Sequence, residues 1–280
     1  MCINKFGCSK SFFRSLFFSL ILLITGLFPD LLNAQQKESF FWDSVKSLSQ
    51  KNSYFPLALN DAHKAYVFFE NADKIKQEIK ISWRHKKDNL DWSDTFSLDA
   101  SFKYSGENVP DIYSAALSNE GLVAVSVLDS TSMNGLVKVY SSSDESKTFS
   151  EFTFPSQKNQ ITSSRIFSRV NGGFILFISL GEGKQSPTES SFSILYAESE
   201  DGKYWSPLRV FSPSATISNA FSPFYARIAD KEFVFFEGWH DKDSTTSLIY
   251  ASSRLSSSGE DWSEPFVLTG QSSMPDSSAS

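Results

Sequence analysis

From about residue 53 onward, short apolar runs alternate with clusters of Gly, Ser, Asn and Asp, and no segment sustains a helical period. The clearest runs are Ala65-Tyr66-Val67-Phe68-Phe69, Leu122-Val123-Ala124-Val125-Ser126-Val127, Phe174-Ile175-Leu176-Phe177-Ile178 and Phe233-Val234-Phe235-Phe236. Near-continuous apolarity over so short a length predicts strands buried on both faces. Turn signals precede them: Asn60-Asp61, Asn119-Glu120-Gly121, Asn171-Gly172-Gly173 and Asp230-Lys231. Before each turn the pattern predicts another strand, over 54–59, 112–117, 165–170 and 224–228.

A third and a fourth strand complete each unit. The third strands centre on Trp83, Tyr140, Tyr196 and Tyr250. Each fourth strand is expected to follow an aromatic and its Ser, at Trp92-Ser93, Phe149-Ser150, Trp205-Ser206 and Trp262-Ser263. These aromatic positions lie 57, 56 and 57 residues apart. Four strands per period of that length is the arithmetic of a β-propeller blade. The expected fold is all-β, with blades at about 53–98, 111–155, 164–211 and 222–268. Residues 40–48, with Phe40-Phe41-Trp42, read as a closing strand, because a paired terminus removes a free sheet edge. Met274-Pro275-Asp276 echoes Val109-Pro110-Asp111 at the entry to a blade, so the chain reads as the first part of a six-bladed propeller.

The first 34 residues differ in kind. Lys5, Lys10 and Arg14 precede an uncharged apolar run from Ser15 to Phe28, then Pro29 and Ala34. About 14 residues at 1.5 Å each reach roughly 20 Å, short of a bilayer core of about 30 Å. This is the layout of a cleavable secretory signal ending at Ala34. It predicts an exported protein in the periplasm, at the cell surface or secreted, with no stable membrane span after cleavage. Both cysteines, Cys2 and Cys8, lie in that leader, so no disulfide framework or Cys-based zinc site is expected. The net charge of −6 falls to about −8 once Lys5, Lys10, Arg14 and Asp30 are removed. An acidic chain argues against nucleic acid as a partner, since phosphate binding needs a clustered basic surface.

The turns before the repeated aromatics are the most specific local feature. Ser142-Ser143-Asp144-Glu145-Ser146-Lys147-Thr148-Phe149 fits S-x-D-x-G-x-T-W, with Ser146 for Gly and Phe149 for Trp. Glu198-Ser199-Glu200-Asp201-Gly202-Lys203-Tyr204-Trp205 keeps Gly202 and Trp205, with Glu200 at the Asp position and Asp201 beside it. Gly259 and Trp262 preserve the spacing in the fourth copy. These residues resemble the Asp-box, or BNR, repeats of sialidase-like propellers. In such a turn a carboxylate accepts backbone amides, Gly allows positive φ and the aromatic plugs into the blade. The resemblance makes these positions structural.

It also implies a chemistry to look for: an arginine cluster for a substrate carboxylate, a Tyr–Glu nucleophile pair and an Asp acid/base. The marker arginine of an R-I-P motif corresponds to Tyr54 in Tyr54-Phe55-Pro56, so the chain departs from the pattern there. Arg165, Arg169 and Arg227 lie on predicted innermost strands and are the expected anion contacts. Glu237-Gly238-Trp239-His240-Asp241 is expected on a loop, with Glu237 and Trp239 as sugar contacts. Asp61 and Asp73 qualify as an acid by loop position alone. His63, His85 and His240 show no ligand spacing, and there is no G-x-S-x-G or phosphate-binding glycine loop. No metal or cofactor is expected. The sequence reading is an exported sialidase-like propeller that binds a glycan or protein without catalysis, with a hydrolase and a purely structural envelope module as alternatives.

Overall fold

The computed structural model describes residues 53–60, 63–88, 90–105, 107, 109–143, 148–169, 172–181, 192–211, 217, 219–239, 247–255 and 261–268. The leader, the closing strand at 40–48, Asp61, Asp144, His240, Asp241, Gly259 and the segment after Leu268 lie outside them.

The described chain is a β-propeller built of four antiparallel meanders. The first blade is β1 (Ser53–Asn60), β2 (Lys64–Asp73), β3 (Glu78–Lys87) and β4 (Phe96–Ser97), with β5 (Phe102–Lys103) also paired to β3. The second is β6 (Tyr113–Leu117), β7 (Val123–Asp129), β8 (Leu136–Ser142) and β9 (Ser150–Thr153). The third is β10 (Gln160–Ser168), β11 (Phe174–Gly181), β12 (Phe192–Ser199) and β13 (Arg209–Phe211). The fourth is β14 (Asn219–Ile228), β15 (Lys231–Trp239), β16 (Leu248–Leu255) and β17 (Phe266–Val267). No helix among the described residues is long and apolar enough to cross a membrane.

First strands of successive blades touch. The Tyr113 hydroxyl donates to the Phe55 carbonyl at 2.6 Å, the Ile166 amide donates to Ser114 Oγ at 3.2 Å, and the Phe167 and Phe224 rings meet at 5.5 Å. The last residues of β1 and β6 border one hollow together with Ile166, Phe167 and Ser168 of β10. The four first strands therefore run the same way around a shared axis, which gives the blades two distinct ends. At the hairpin end each first strand turns into its second. At the entry end first strands begin and second strands finish.

Three apolar clusters lie between consecutive sheets, and they explain the burial patterns. All eight residues of β11 are buried because blades stand on both of its faces. In β15 only alternate residues are, since Val234 and Phe236 face the third blade and Phe233 and Phe235 do not. Each fully buried Phe of β11 contributes roughly 1.5–3 kcal/mol.

The fourth strand follows the repeated aromatic, as the sequence pattern predicts. Except after Phe149, the strand starts later, at Phe96, Arg209 and Phe266. The Ser that follows the aromatic accounts for the delay. Ser93, Ser206 and Ser263 donate their amides to the carbonyls of His85, Glu198 and Ser253. Their hydroxyls accept the amides of the same three residues at 3.0 Å. This closed two-bond bridge stands where the ladder would otherwise begin. The aromatics pack onto the preceding blade: Phe149 on Trp83 at 5.1 Å, Trp205 on Phe154 at 5.6 Å, and Trp262 on Phe211 at 5.8 Å. Thr148 lies exposed just before its aromatic, and Ser142 is buried at the end of β8.

In the third blade Asp201, rather than Glu200, fills the carboxylate role. Asp201 Oδ1 accepts the amides of Lys203 at 2.8 Å and Tyr204 at 3.0 Å. Burial pushes this carboxyl up, but those amides and the Ser199 hydroxyl outweigh it and hold it below its ordinary value. Gly202 adopts φ +74 and donates to Ser199 Oγ, while its carbonyl accepts Trp205 Nε1 at 2.9 Å. A side chain at 202 would also press on Ser141 Cβ at 2.8 Å, so both backbone and space require glycine.

Candidate functional site

The structure separates the three arginines predicted on innermost strands. Arg169 and Arg227 come together at the hairpin end, on a hollow of about 330 Å³ that Phe167 and Tyr225 also line. Arg169 is engaged in ion pairs there: Nε lies 3.4 Å from Glu232 and Nη1 3.6 Å from Glu198. Arg254 completes the cluster, 2.6 Å from Glu232, in contact with Glu198, and 4.3 Å above the Trp262 ring. Glu232 is fully buried, and these ion pairs join blades three and four. Arg227 is exposed and donates to the Ala229 carbonyl of its own turn.

Arg165 points the other way, toward the second blade. Its side chain is 41% exposed, with the guanidinium 3.6 Å from Asp111 Oδ2 and 3.4 Å from the Tyr113 carbonyl. Tyr113 lies near the buried Glu70, whose Oε1 accepts the Ile112 amide at 2.8 Å. Burial and the charge of Glu70 both drive the Tyr113 phenol upward, and its proton is committed to Phe55. A tyrosine activated by a depressed pKa would need the opposite bias. Tyr54 is partly buried at the start of β1, with Lys74 Nζ 5.7 Å from its ring centre.

Glu237 and Trp239 lie within β15 rather than on a loop. Gly238 between them lets the strand close on its neighbour: a Cβ there would stand 2.9 Å from the Asn219 carbonyl and from Ile217 Cγ2. Glu237 faces Phe221 across the β14–β15 ladder. Trp239 meets Phe221 at 5.8 Å and Phe192 at 6.0 Å, and these two phenylalanines lie 5.4 Å apart. Burial raises the Glu237 carboxyl above its ordinary value, and no described residue meets it with a cation or hydrogen-bond donor.

Asp73 is a turn cap. Its Oδ1 accepts the amides of Ile75 at 3.0 Å and Lys76 at 3.1 Å. The Lys76 amide is the main reason its carboxyl sits below the ordinary range, which disfavours an acid role. His63 is exposed, 3.2 Å from Asp88, and His85 packs on Tyr66 and Phe96. Among the described residues no three His, Cys, Asp or Glu side chains gather to hold a metal ion.

Sequence reasoning passed over Asp111, Tyr113, Phe192 and Phe221. One signal was present. Tyr54-Phe55-Pro56 and Phe221-Ser222-Pro223 share an aromatic–x–Pro pattern. Both form bulges, with Phe55 at φ 50 and Ser222 at φ 54. Bulges at strand starts re-aim a side chain, and left-handed backbone at a non-glycine costs about 1–2 kcal/mol.

No family model matches the chain, and no curated protein matches it by sequence. Solved structures do match in fold. An ulvan lyase of polysaccharide lyase family PL25 aligns with a TM-score of 0.51 at 10% identity, covering 77% of this chain and 58% of its own. The GH93 α-L-arabinofuranosidase of Fusarium graminearum, solved with arabinobiose, gives 0.49 at 16% identity, covering 76% and 64%. An α-L-arabinanase mutant of Cellvibrio cellulosa gives 0.43 at 13% identity, covering 77% and 76%. At these identities the likeness is one of fold: the chain is a β-propeller of four-stranded blades.

Proposed function

We propose that this chain is an exported, sialidase-like propeller that binds a glycan at the cell envelope through its entry end and does not cleave it. The observation that carries the reading is the pairing of Tyr54, where the resemblance calls for arginine, with Tyr113, whose phenol is buried and donates its proton to the Phe55 carbonyl. Of the arginines first singled out, Arg165 alone faces the entry end, with a partly exposed side chain suited to a polar ligand. Support for export is the basic leader and short apolar run before Ala34. The amide-capped turn at Asp201 supports the sialidase-like character.

The test pairs turnover with binding on the secreted protein. Fluorogenic sialosides are expected to remain intact, while a glycan array gives signals that weaken in Arg165→Ala. Turnover that disappears in Arg165→Ala or Arg227→Ala overturns the reading in favour of a hydrolase. Silence in both assays favours a structural module.

A further inference from the structure

We infer that Phe192, Phe221 and Trp239, with Glu237, form a subsite for one uncharged sugar ring at the boundary between blades three and four. This inference rests on the glycan-binding reading and names the chemistry it takes.

The three rings come from three strands in two blades, and each is partly exposed. They are held from behind. The Phe192 amide donates to Asn219 Oδ1 at 2.7 Å, tying β12 to β14. Gly181 leaves space for the Phe192 ring, since a Cβ there would lie 2.8 Å from Phe192 Cε1. Gly238 lets the backbone of β15 approach Asn219, which sets the height of Trp239. Phe221 stands at the bulge before Pro223, a strained turn that fixes its direction. An aromatic surface fixed in advance spends little side-chain entropy on binding.

The geometry selects the occupant. With centroids 5.4, 5.8 and 6.0 Å apart, the rings pack edge against face and leave no gap for an ammonium group between them. They form a wall, which suits the C–H face of a sugar. Glu237 lies on the same face of the ladder, opposite Phe221 and two residues before Trp239. Ionised, it accepts ligand hydroxyls and repels a carboxylate or sulfate on the sugar. Protonated, it still donates one hydrogen bond and accepts another. A neutral ring with hydroxyls along one edge meets both requirements.

The experiment titrates the full chain with neutral hexaoses (xylo-, manno- and cello-), with sialyllactose, and with tetramethylammonium chloride. At least one neutral hexaose is expected to bind, quenching indole fluorescence. Trp239→Ala weakens it about tenfold or more, Trp239→Phe by less, and Glu237→Gln by a few-fold. Lys203→Ala, at the opposite end, leaves it unchanged. Near-UV circular dichroism verifies each fold, and Trp239→Phe carries the test should Trp239→Ala unfold. The subsite is overturned if folded Trp239 variants bind like wild type, or if tetramethylammonium competes with the sugar. Binding of sialyllactose alone, lost in Arg165→Ala and unchanged in Trp239→Ala, overturns it while leaving the glycan reading intact. Failure of every glycan sinks both.

Discussion

Arg165 and Arg169 lie four residues apart in blade three, yet the two ends of the propeller use them differently. At the hairpin end Arg169 is joined to Glu198, Glu232 and Arg254, with Glu232 fully buried and Arg254 nearly so. At the entry end Arg165 has one carboxylate, Asp111, at 3.6 Å, and remains 41% exposed. Along a strand four residues span about 13 Å. That distance separates a guanidinium consumed by the fold from one that faces solvent. An inner-strand arginine is therefore not by itself an anion site; its end of the blade decides what it can do.

The sharpest way to break this comparison is to remove charge at each end. Glu232→Ala leaves Arg169 and Arg254 without a shared buried partner, and breaking such a pair costs about 3–5 kcal/mol. Urea denaturation is expected to show a loss of that size. Arg165→Ala is expected to change stability by no more than about 0.5 kcal/mol, as surface substitutions do. Equal losses at the two ends would refute the division.

Glycine at the hairpin end supplies a second handle. Gly173 has φ +75, and a Cβ there would stand 2.2 Å from the Ser199 carbonyl and 2.7 Å from Glu200 Cα. Gly173→Ala forces backbone against backbone and is expected to cost about 3 kcal/mol, with the midpoint of denaturation falling accordingly. Ser206→Ala, which keeps the amide bond to Glu198 but loses the hydroxyl acceptor, is expected to cost about 1 kcal/mol. A loss as large as that of Gly173→Ala would mean the bridge beside Trp205 holds the whole blade boundary.

The chain announces its blades because the signals are local and repeat. Trp205-Ser206 and Trp262-Ser263 each make the same bridge, so the pattern is visible at one spacing. The ion cluster was hidden because its partners are remote: Glu198 and Arg254 lie 56 residues apart, one repeat, and neither stands out locally. The carboxylate of the turn was misplaced by one residue because Glu200 and Asp201 are adjacent, and only the amides of Lys203 and Tyr204 distinguish them. Glu237 and Trp239 read as loop residues because the apolar run ends at Phe236 and Gly238 follows. Here it allows close packing on Asn219, and the strand continues. The entry end combines residues from several blades, so no single motif outlines it.

The smallest effect concerns Glu237, which sharpens the comparison by showing what a carboxyl does where no described cation faces it, unlike at the hairpin end. Burial raises its folded pKa above the ordinary 4.5 of the unfolded chain. The folded state therefore holds this proton more tightly, and the contribution to stability is full below about pH 4.5. It is lost as pH rises from there through the folded value and is constant above it. Glu237→Gln has no such proton to lose. Its melting temperature is expected to match wild type near pH 4, to exceed it by a margin that grows as pH rises through the folded value, and to keep that margin above it. Paired thermal melts from pH 4 to 8 check the sign. A margin that is constant with pH, or that shrinks as pH rises, would mean that the carboxyl is paired in solution and that the entry end is as saturated as the hairpin end.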